Sequence, residues 1–512
     1  MAMDMNRTRH RLYCTAFILS CLHQTSIAED YFTPAITVSR VHTDNLLLDE
    51  ENPISAIVDV TEVQLDWNKQ APNWSSRLDF NIENINYRNY PVEDEQYEQY
   101  NFSSSIHSKA KAAEFGFRST RDQVYSSFLR PKALSNINIS ENRADFQSDT
   151  AFLNLDKKFG ALLAVNLNLS FSKIDYDHQI QTLSSETAFN DSDVGSAQLR
   201  LSNGSTRRNQ WYISSSVTET KQKYTDQEDK RYESHDASFY VPISRGWDFV
   251  ARGGHINDDI SAVDEERNGT YYSSGIRFTG RSKFSFEAVY GDRFSEASLR
   301  YFVQKRSSIT ATYTKSDLGQ LQGSQFDIEW RTLGKRSEFR LLKRRNLENQ
   351  SSESILQLPL QNNLIGTGLP DPDDFIPIVS DRLTFTDFIL ERSEAYWSYQ
   401  TNRFQFGVEL QKGERIPVGE DFVYQNLSGG KVTIAYLAGR RSIYQMQVLA
   451  ENTEFPFTSQ DSKLDQILFS WRYTPGIKTS VELEASRLNQ TVSLNDLQFD
   501  ETRVELSFNR TF

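Results

Sequence analysis

The stretch LAVNLNLSFS, residues 163–172, decides the fold. Leu163, Val165, Leu167, Leu169 and Phe171 alternate with Ala164, Asn166, Asn168, Ser170 and Ser172. A period of two places the two sets on opposite faces of a β-strand. One face is wholly apolar and the other is neutral and polar. The run is about as long as a tilted strand that crosses a hydrocarbon layer, roughly 9–11 residues.

The same pattern recurs along the chain. Trp211, Ile213 and Val217 alternate with Ser214, Ser216 and Thr218. Tyr272, Ile276 and Phe278 alternate with Ser273, Gly275, Arg277 and Thr279, and Phe284, Phe286, Ala288 and Tyr290 with Ser285, Glu287 and Gly291. Ile467, Phe469, Trp471 and Tyr473 flank Ser470 and Arg472; Val481, Leu483 and Ala485 flank Glu482, Glu484 and Ser486. Strands of soluble sandwiches are typically ~5–6 residues, so these runs are long for that class. In a membrane the sheet must close, because an open edge leaves backbone N–H and C=O groups unpaired in hydrocarbon.

The reading is therefore all-β: one transmembrane antiparallel up-and-down barrel of about 22 strands, within a range of about 18–24. The runs begin near 32–41 and end near 499–512. A further hairpin, 324–333 with 337–346, brings the count to 24. Residues 121–145 and 174–193 read as long loops. Residues 347–383, with Pro359, Pro370, Pro372 and Pro377, read as a long loop or a segment folded into the lumen.

The connections alternate as well. One set is short and basic: Lys157-Lys158, Arg207-Arg208, Arg245, Arg281 and Lys283, Lys305-Arg306, Lys335-Arg336, Arg403, Arg440-Arg441 and Lys478. The other is mostly longer and acidic, including 44–51, 93–98, 226–229, 258–266 and 371–374. The sets interleave, as short turns and long loops do at the two ends of an up-and-down barrel.

The ends of the chain point the same way. Arg7, Arg9 and Arg11 precede the apolar run LYCTAFILSCL at 12–22, and Ser26-Ile27-Ala28 supplies small residues for cleavage. Residues 1–28 are expected to be a signal peptide and 29–512 the barrel. An uncleaved anchor is disfavoured, because eleven apolar residues fall short of the ~20 a helical span needs. Lipidation at Cys21 is the other alternative, with Leu19 a poor fit to a lipobox. Cys14 and Cys21 are the only cysteines, so a mature chain has none for a disulfide, a metal or a nucleophile. At the other end Val504, Leu506, Phe508 and Phe512 share one parity, the form of a strand read by barrel-assembly machinery, although Arg510 departs from it.

Mean hydropathy is low, −0.59, which suits a soluble protein and a barrel with a polar lumen equally. Aromatic residues at 12% with only 13 prolines favour many strands over disorder. Without residues 1–28 the chain holds 53 basic and 68 acidic residues, a net charge of −15, which argues against nucleic acid as a partner.

Several segments resemble a known family. Phe32-Thr33-Pro34-Ala35-Ile36-Thr37-Val38-Ser39, followed by Thr43-Asp44-Asn45, resembles the opening strand of the outer-membrane β-barrel proteins associated with PEP-CTERM and exosortase exopolysaccharide clusters. Asp79-Phe80-Asn81-Ile82 with Tyr87 is similar to their third strand. Residues 272–278 and 286–294 resemble their central hairpin, with Asp292 where a basic residue is usual; 387–392 resembles the strand after their long connection. The chain is also similar to outer-membrane porins in general. The resemblance implies a Gram-negative outer membrane and a role in exporting or anchoring polysaccharide. It carries over no catalytic residues.

No chemical motif stands out. His42, His107, His178, His235 and His255 are isolated and lack zinc spacing. There is no GxSxG and no phosphate loop. No enzyme activity, cofactor or metal is expected. Asp258, Asp259, Asp371, Asp373 and Asp374 offer oxygen ligands in acidic loops but without EF-hand spacing. The candidate functional residues are the charges on the polar parity: Arg277, Glu287, Arg472, Glu482, Glu484, Arg503 and Glu505. The expected partners are outer-membrane lipid, barrel-assembly machinery and polysaccharide. The expected function is a channel or scaffold for exopolysaccharide; a general porin and a surface protein retaining matrix through acidic loops are the alternatives.

Overall fold

A computed structural model describes residues 29–49, 51–90, 94–125, 136–139, 143–160, 162–176, 191–203, 209–222, 230–258, 268–280, 283–304, 306–319, 323–348, 353–354, 381–382, 388–417, 424–456, 460–493 and 497–512. The expected signal segment lies outside them. The chain forms β1 (Glu29–Thr43), β2 (Ala56–Ala71), β3 (Trp74–Tyr87), β4 (Glu95–His107), β5 (Ala113–Tyr125), β6 (Arg143–Phe159), β7 (Leu163–Tyr176) and β8 (Ser192–Ser202). Next come β9 (Gln210–Gln222), β10 (Lys230–Ser244), β11 (Trp247–Asp258), β12 (Gly269–Thr279), β13 (Phe284–Asp292), β14 (Phe294–Gln304), β15 (Ser307–Ser316), β16 (Gly323–Leu333) and β17 (Ser337–Glu348). The last are β18 (Phe388–Gln400), β19 (Phe404–Pro417), β20 (Gln425–Leu437), β21 (Ser442–Phe455), β22 (Gln460–Gly476), β23 (Thr479–Val492) and β24 (Leu497–Thr511).

All 24 strands belong to one sheet, and every ladder is antiparallel between chain neighbours. The sheet closes where β1 meets β24, from Ala35 opposite Thr511 to Thr43 opposite Arg503. The Phe512 N–H donates to the Pro34 carbonyl at 2.9 Å. The hairpin of β16 and β17 is present, so the count is 24 rather than 22. A two-residue ladder, Glu353–Ser354 with Asp381–Arg382, lies within the expected long loop; most of 347–383 is outside the described residues.

The strands alternate between two kinds of connection. At one end the turns are short, such as 72–73, 245–246, 401–403 and 477–478. Among the described residues the basic turn positions all sit there: Lys157, Lys158, Arg245, Lys283, Arg306, Lys335, Arg336, Arg403, Arg440, Arg441 and Lys478. At the other end most connections are longer, such as 44–55, 126–142 and 349–387. The shortest there is Arg293, which alone joins β13 to β14 with φ 60°.

Register assigns each residue to a face. Leu169 of β7 stands opposite Leu153 and Ala197, and Leu199 opposite Leu167 and Ser215. On β22, Ile467, Phe469 and Tyr473 are exposed, while Gln466, Leu468, Ser470 and Arg472 between them are buried. The outward set forms an apolar band around the barrel. All seven tryptophans lie in it, and all sit near the short-turn end: Trp67, Trp74, Trp211, Trp247, Trp330, Trp397 and Trp471. Two of their indole N–H groups are satisfied locally, Trp74 donating to Ser104 Oγ at 3.0 Å and Trp471 to Ser442 Oγ at 2.8 Å. An aromatic girdle of this kind suits a membrane–water interface, where one end of the ring is apolar and the other wet.

Toward the long-loop end the outward residue becomes polar on strand after strand: Arg40, Glu98, Arg121, Lys173, Asp193, Lys343, Lys412, Asp465 and Arg487. The strands run on past the band into this collar. That is why they reach 17 residues, and why the loops expected at 121–145 and 174–193 are shortened to 126–142 and 177–191. Ion pairs within the collar include Arg40 with Asp59 at 2.7 Å and Arg121 with Asp145 at 3.3 Å.

Candidate functional site

The inward face divides into unlike arcs. From β6 to β9 its middle is mostly neutral, polar and partly open to solvent, while Phe146, Ile174, Tyr176, Ser192 and Thr220 are buried at the long-loop end. Asn168 Nδ2 donates to Asn166 Oδ1 at 3.0 Å and to Gln198 Oε1 at 3.3 Å. Ser170 meets Ser196 at 2.7 Å, and Thr150 meets Ser172 at 2.8 Å. Gln198 and Arg200 are exposed, and the Arg200 guanidinium lies 4.6 Å from the Tyr212 ring centre. These amides and hydroxyls are laid down by the polar parity of the alternating runs.

From β20 to β2 the inward residues are mostly buried. They include Lys431, Thr433, Gln445, Gln447, Leu449, Leu464, Gln466 and Arg472. At the long-loop end, part of this burial comes from residues 44–49, which fold inward. Leu46 packs with Val41, Val58, Ile85 and Ile137. Leu48 packs with Leu449, Leu464, Leu488 and Phe499. Glu501 Oε1 accepts from Thr43 Oγ1 at 2.7 Å and from Asn138 Nδ2 at 3.0 Å, which fixes the turn to the wall.

The seven charges named from sequence lie on this inward parity, in two groups. Five share β22 to β24: Arg472 pairs with Glu482 at 2.8 Å, Arg503 with Glu505 at 3.2 Å, and Glu484 stands opposite Glu505. Like charges directly opposite are destabilising, so Arg472 and Arg503 are needed between these carboxylates. Two further carboxylate pairs continue the arc, Glu62 opposite Glu83 and Asp66 opposite Asp79. Sequence reading missed them, although Glu62, Gln64 and Asp66 lie on one parity.

The other two, Arg277 and Glu287, face each other in the β12–β13 ladder but bond elsewhere. Arg277 pairs with Asp248 at 2.7 Å and stacks on Tyr240 with its guanidinium 3.9 Å from the ring centre. Glu287 pairs with Arg252, which also holds Glu296 at 3.0 Å. Arg252 is thus the hub of this wall. Its neighbours Gly253 and Gly254 broke the apolar alternation that would have revealed it.

Of the acidic loop candidates, Asp258 is the last residue of β11, and it is buried. Its N–H donates to Asn268 Oδ1 at 2.8 Å. Asp259, Asp371, Asp373 and Asp374 lie outside the described residues. Val504, Leu506, Phe508 and Phe512 are exposed on the outward face. His235 and His255 are ladder partners on that face as well. Among the described residues no group of three or more histidines or carboxylates is arranged to hold a metal.

No family model and no curated protein matches the chain. Solved structures do. The FrpB iron transporter from Neisseria meningitidis (F3-3 variant) aligns over 94% of this chain and 81% of its own, at 9% identity and a TM-score of 0.44. The siderophore receptor PiuA from Acinetobacter baumannii aligns over 95% and 82%, at 9% identity and a TM-score of 0.46. The siderophore receptor PirA from the same organism aligns over 94% and 80%, at 7% identity and a TM-score of 0.45. At such identities no residue or ligand is carried across from these proteins.

Proposed function

We propose that the protein spans the outer membrane and conducts polar solutes along the open arc of its lumen, with saccharide chains of an exopolysaccharide as cargo. The supporting observation is the pair of faces on β7 and β8. Leu167, Leu169 and Leu199 point outward into the apolar band, while Asn166, Asn168 and Gln198 line a solvated inner wall. Neutral amides and hydroxyls both donate and accept, as sugar hydroxyls do, and do not trap an uncharged chain. The role needs no covalent chemistry. Acidic loops and barrel-assembly machinery complete the proposal: the former meet the medium, and the latter reads Phe512 and its parity.

Planar-bilayer recording tests it. The purified barrel is expected to give discrete current steps, and liposomes carrying it are expected to swell in neutral sugars. Absence of both would favour the second reading, a structural barrel that retains matrix at the surface. The buried inward residues of β20 to β2 and the inward turn at 44–49 support that alternative.

A further inference from the structure

Nine inward positions of β18, β19 and β20 form a grid in register. Its rows are Tyr396, Glu409 and Lys431; Ser398, Gly407 and Thr433; Gln400, Gln405 and Ala435. The centre is Gly407, which has no side chain. The vacancy is a niche of about 20 Å³, room for one hydroxyl-sized group. Its rim is Tyr396, Ser398, Gln405, Glu409, Lys431 and Thr433.

Backbone geometry does not demand this glycine. Its φ is not in the left-handed region, and a Cβ built on it meets no atom within 4 Å. Glycine inside a strand weakens it, and one use for such a position is the close approach of a ligand. Two polar atoms at the rim have no hydrogen-bond partner: Lys431 Nζ and Gln405 Oε1. Both residues are deeply buried, 4% and 3% exposed, and both belong to the lining of the niche. A buried polar group without a hydrogen bond is costly, more so when charged, so the two atoms call for a hydrogen-bonding partner from solution. Tyr396, Gly407 and Glu409 stay partly exposed, which leaves a way in.

We propose that this niche binds one hydroxyl or hydroxymethyl group of a neutral saccharide in the lumen. This rests on the reading of the barrel as a saccharide conduit. An anion would meet the Glu409 carboxylate, and a cation would meet the Lys431 ammonium. A hydroxyl suits both sides, since it accepts from Lys431 Nζ while donating to Gln405 Oε1 or Glu409. Ser398 and Thr433 flank it with further hydroxyls, and Tyr396 offers an apolar ring edge beside them.

The test is titration of the purified barrel with a neutral hexasaccharide of glucose, followed by calorimetry, with bilayer current recorded in parallel. Gly407→Val fills the vacancy and Lys431→Met removes the donor; each is expected to weaken binding roughly tenfold. Ile467→Val, on the outward face of β22, should leave binding unchanged. Folding of each variant is confirmed by heat-modifiable migration on gels. Binding that is absent, or equal in wild type and both niche variants, would overturn the niche and mark it as a site for water alone. Binding lost in the variants without any current would keep the niche and overturn the conduit.

Discussion

Val38 of the first strand stands directly opposite Phe508 of the last, both exposed on the outward face. Residues separated by nearly the whole chain thus become neighbours, and the sheet loses its edges. Inward of this pair, Ser39 stands opposite Ser507. Facing residues of a ladder have Cα atoms roughly 4.5–5.5 Å apart, within the span of a disulfide. Ser39→Cys with Ser507→Cys, in a chain lacking Cys14 and Cys21, should cross-link on oxidation and change gel mobility. Ser39→Cys with Ser470→Cys should not.

Arg252 holds two carboxylates, Glu287 and Glu296, on a partly buried wall. Arg252→Ala leaves both without their cation and should destabilise the barrel by about 3–5 kcal/mol. Denaturant titration in detergent micelles measures it. Arg252→Lys should recover only part of the loss, because one ammonium does not reproduce the guanidinium fork.

Leu46 is fully buried against the inner wall and anchors the inward turn. Leu46→Ala should cost about 2–5 kcal/mol through lost burial and the cavity left behind. Freed from the wall, the turn should also leave the mouth, and single-channel conductance should rise. An unchanged conductance together with the stability loss would mean that the turn packs without narrowing the path.

Phe512 ends the outward parity of β24 and is exposed beside Arg510, whose guanidinium lies 5.4 Å from its ring centre. Deleting Phe512 is expected to lower the assembled, heat-modifiable fraction in cells while the isolated protein still refolds in detergent. Equal assembly of both forms in cells would remove this residue from the targeting signal.

Much of the fold was legible because period-two alternation is a local property. Leu167, Asn168 and Leu169 announce two unlike faces within three residues. The hairpin of β16 and β17 was legible too, as the addition that brings 22 strands to 24. Above the apolar band the pattern reverses: outward residues turn polar, while inward ones such as Phe146 and Ile174 are apolar and buried. Asp145, Gln147 and Asp149 of β6 point outward there, so the strand begins earlier than its pattern suggests. The site was legible only in part. Parity places Arg472 and Glu482 on the inner face, but it does not tell a wetted glutamine, Gln198, from a buried one, Gln466. The niche is a product of register: Ser398, Gly407 and Thr433 lie on three strands and have no shared sequence signal.

Tryptophan fluorescence gives the most direct measurement, since all seven tryptophans lie on the outward face near one end. In liposomes whose lipids carry bromine near the headgroup end of the acyl chain, the emission should be blue-shifted and strongly quenched. Aqueous iodide should have little effect. Quenching by iodide and indifference to bromolipid would contradict a cylinder with oil on its outer side and water within.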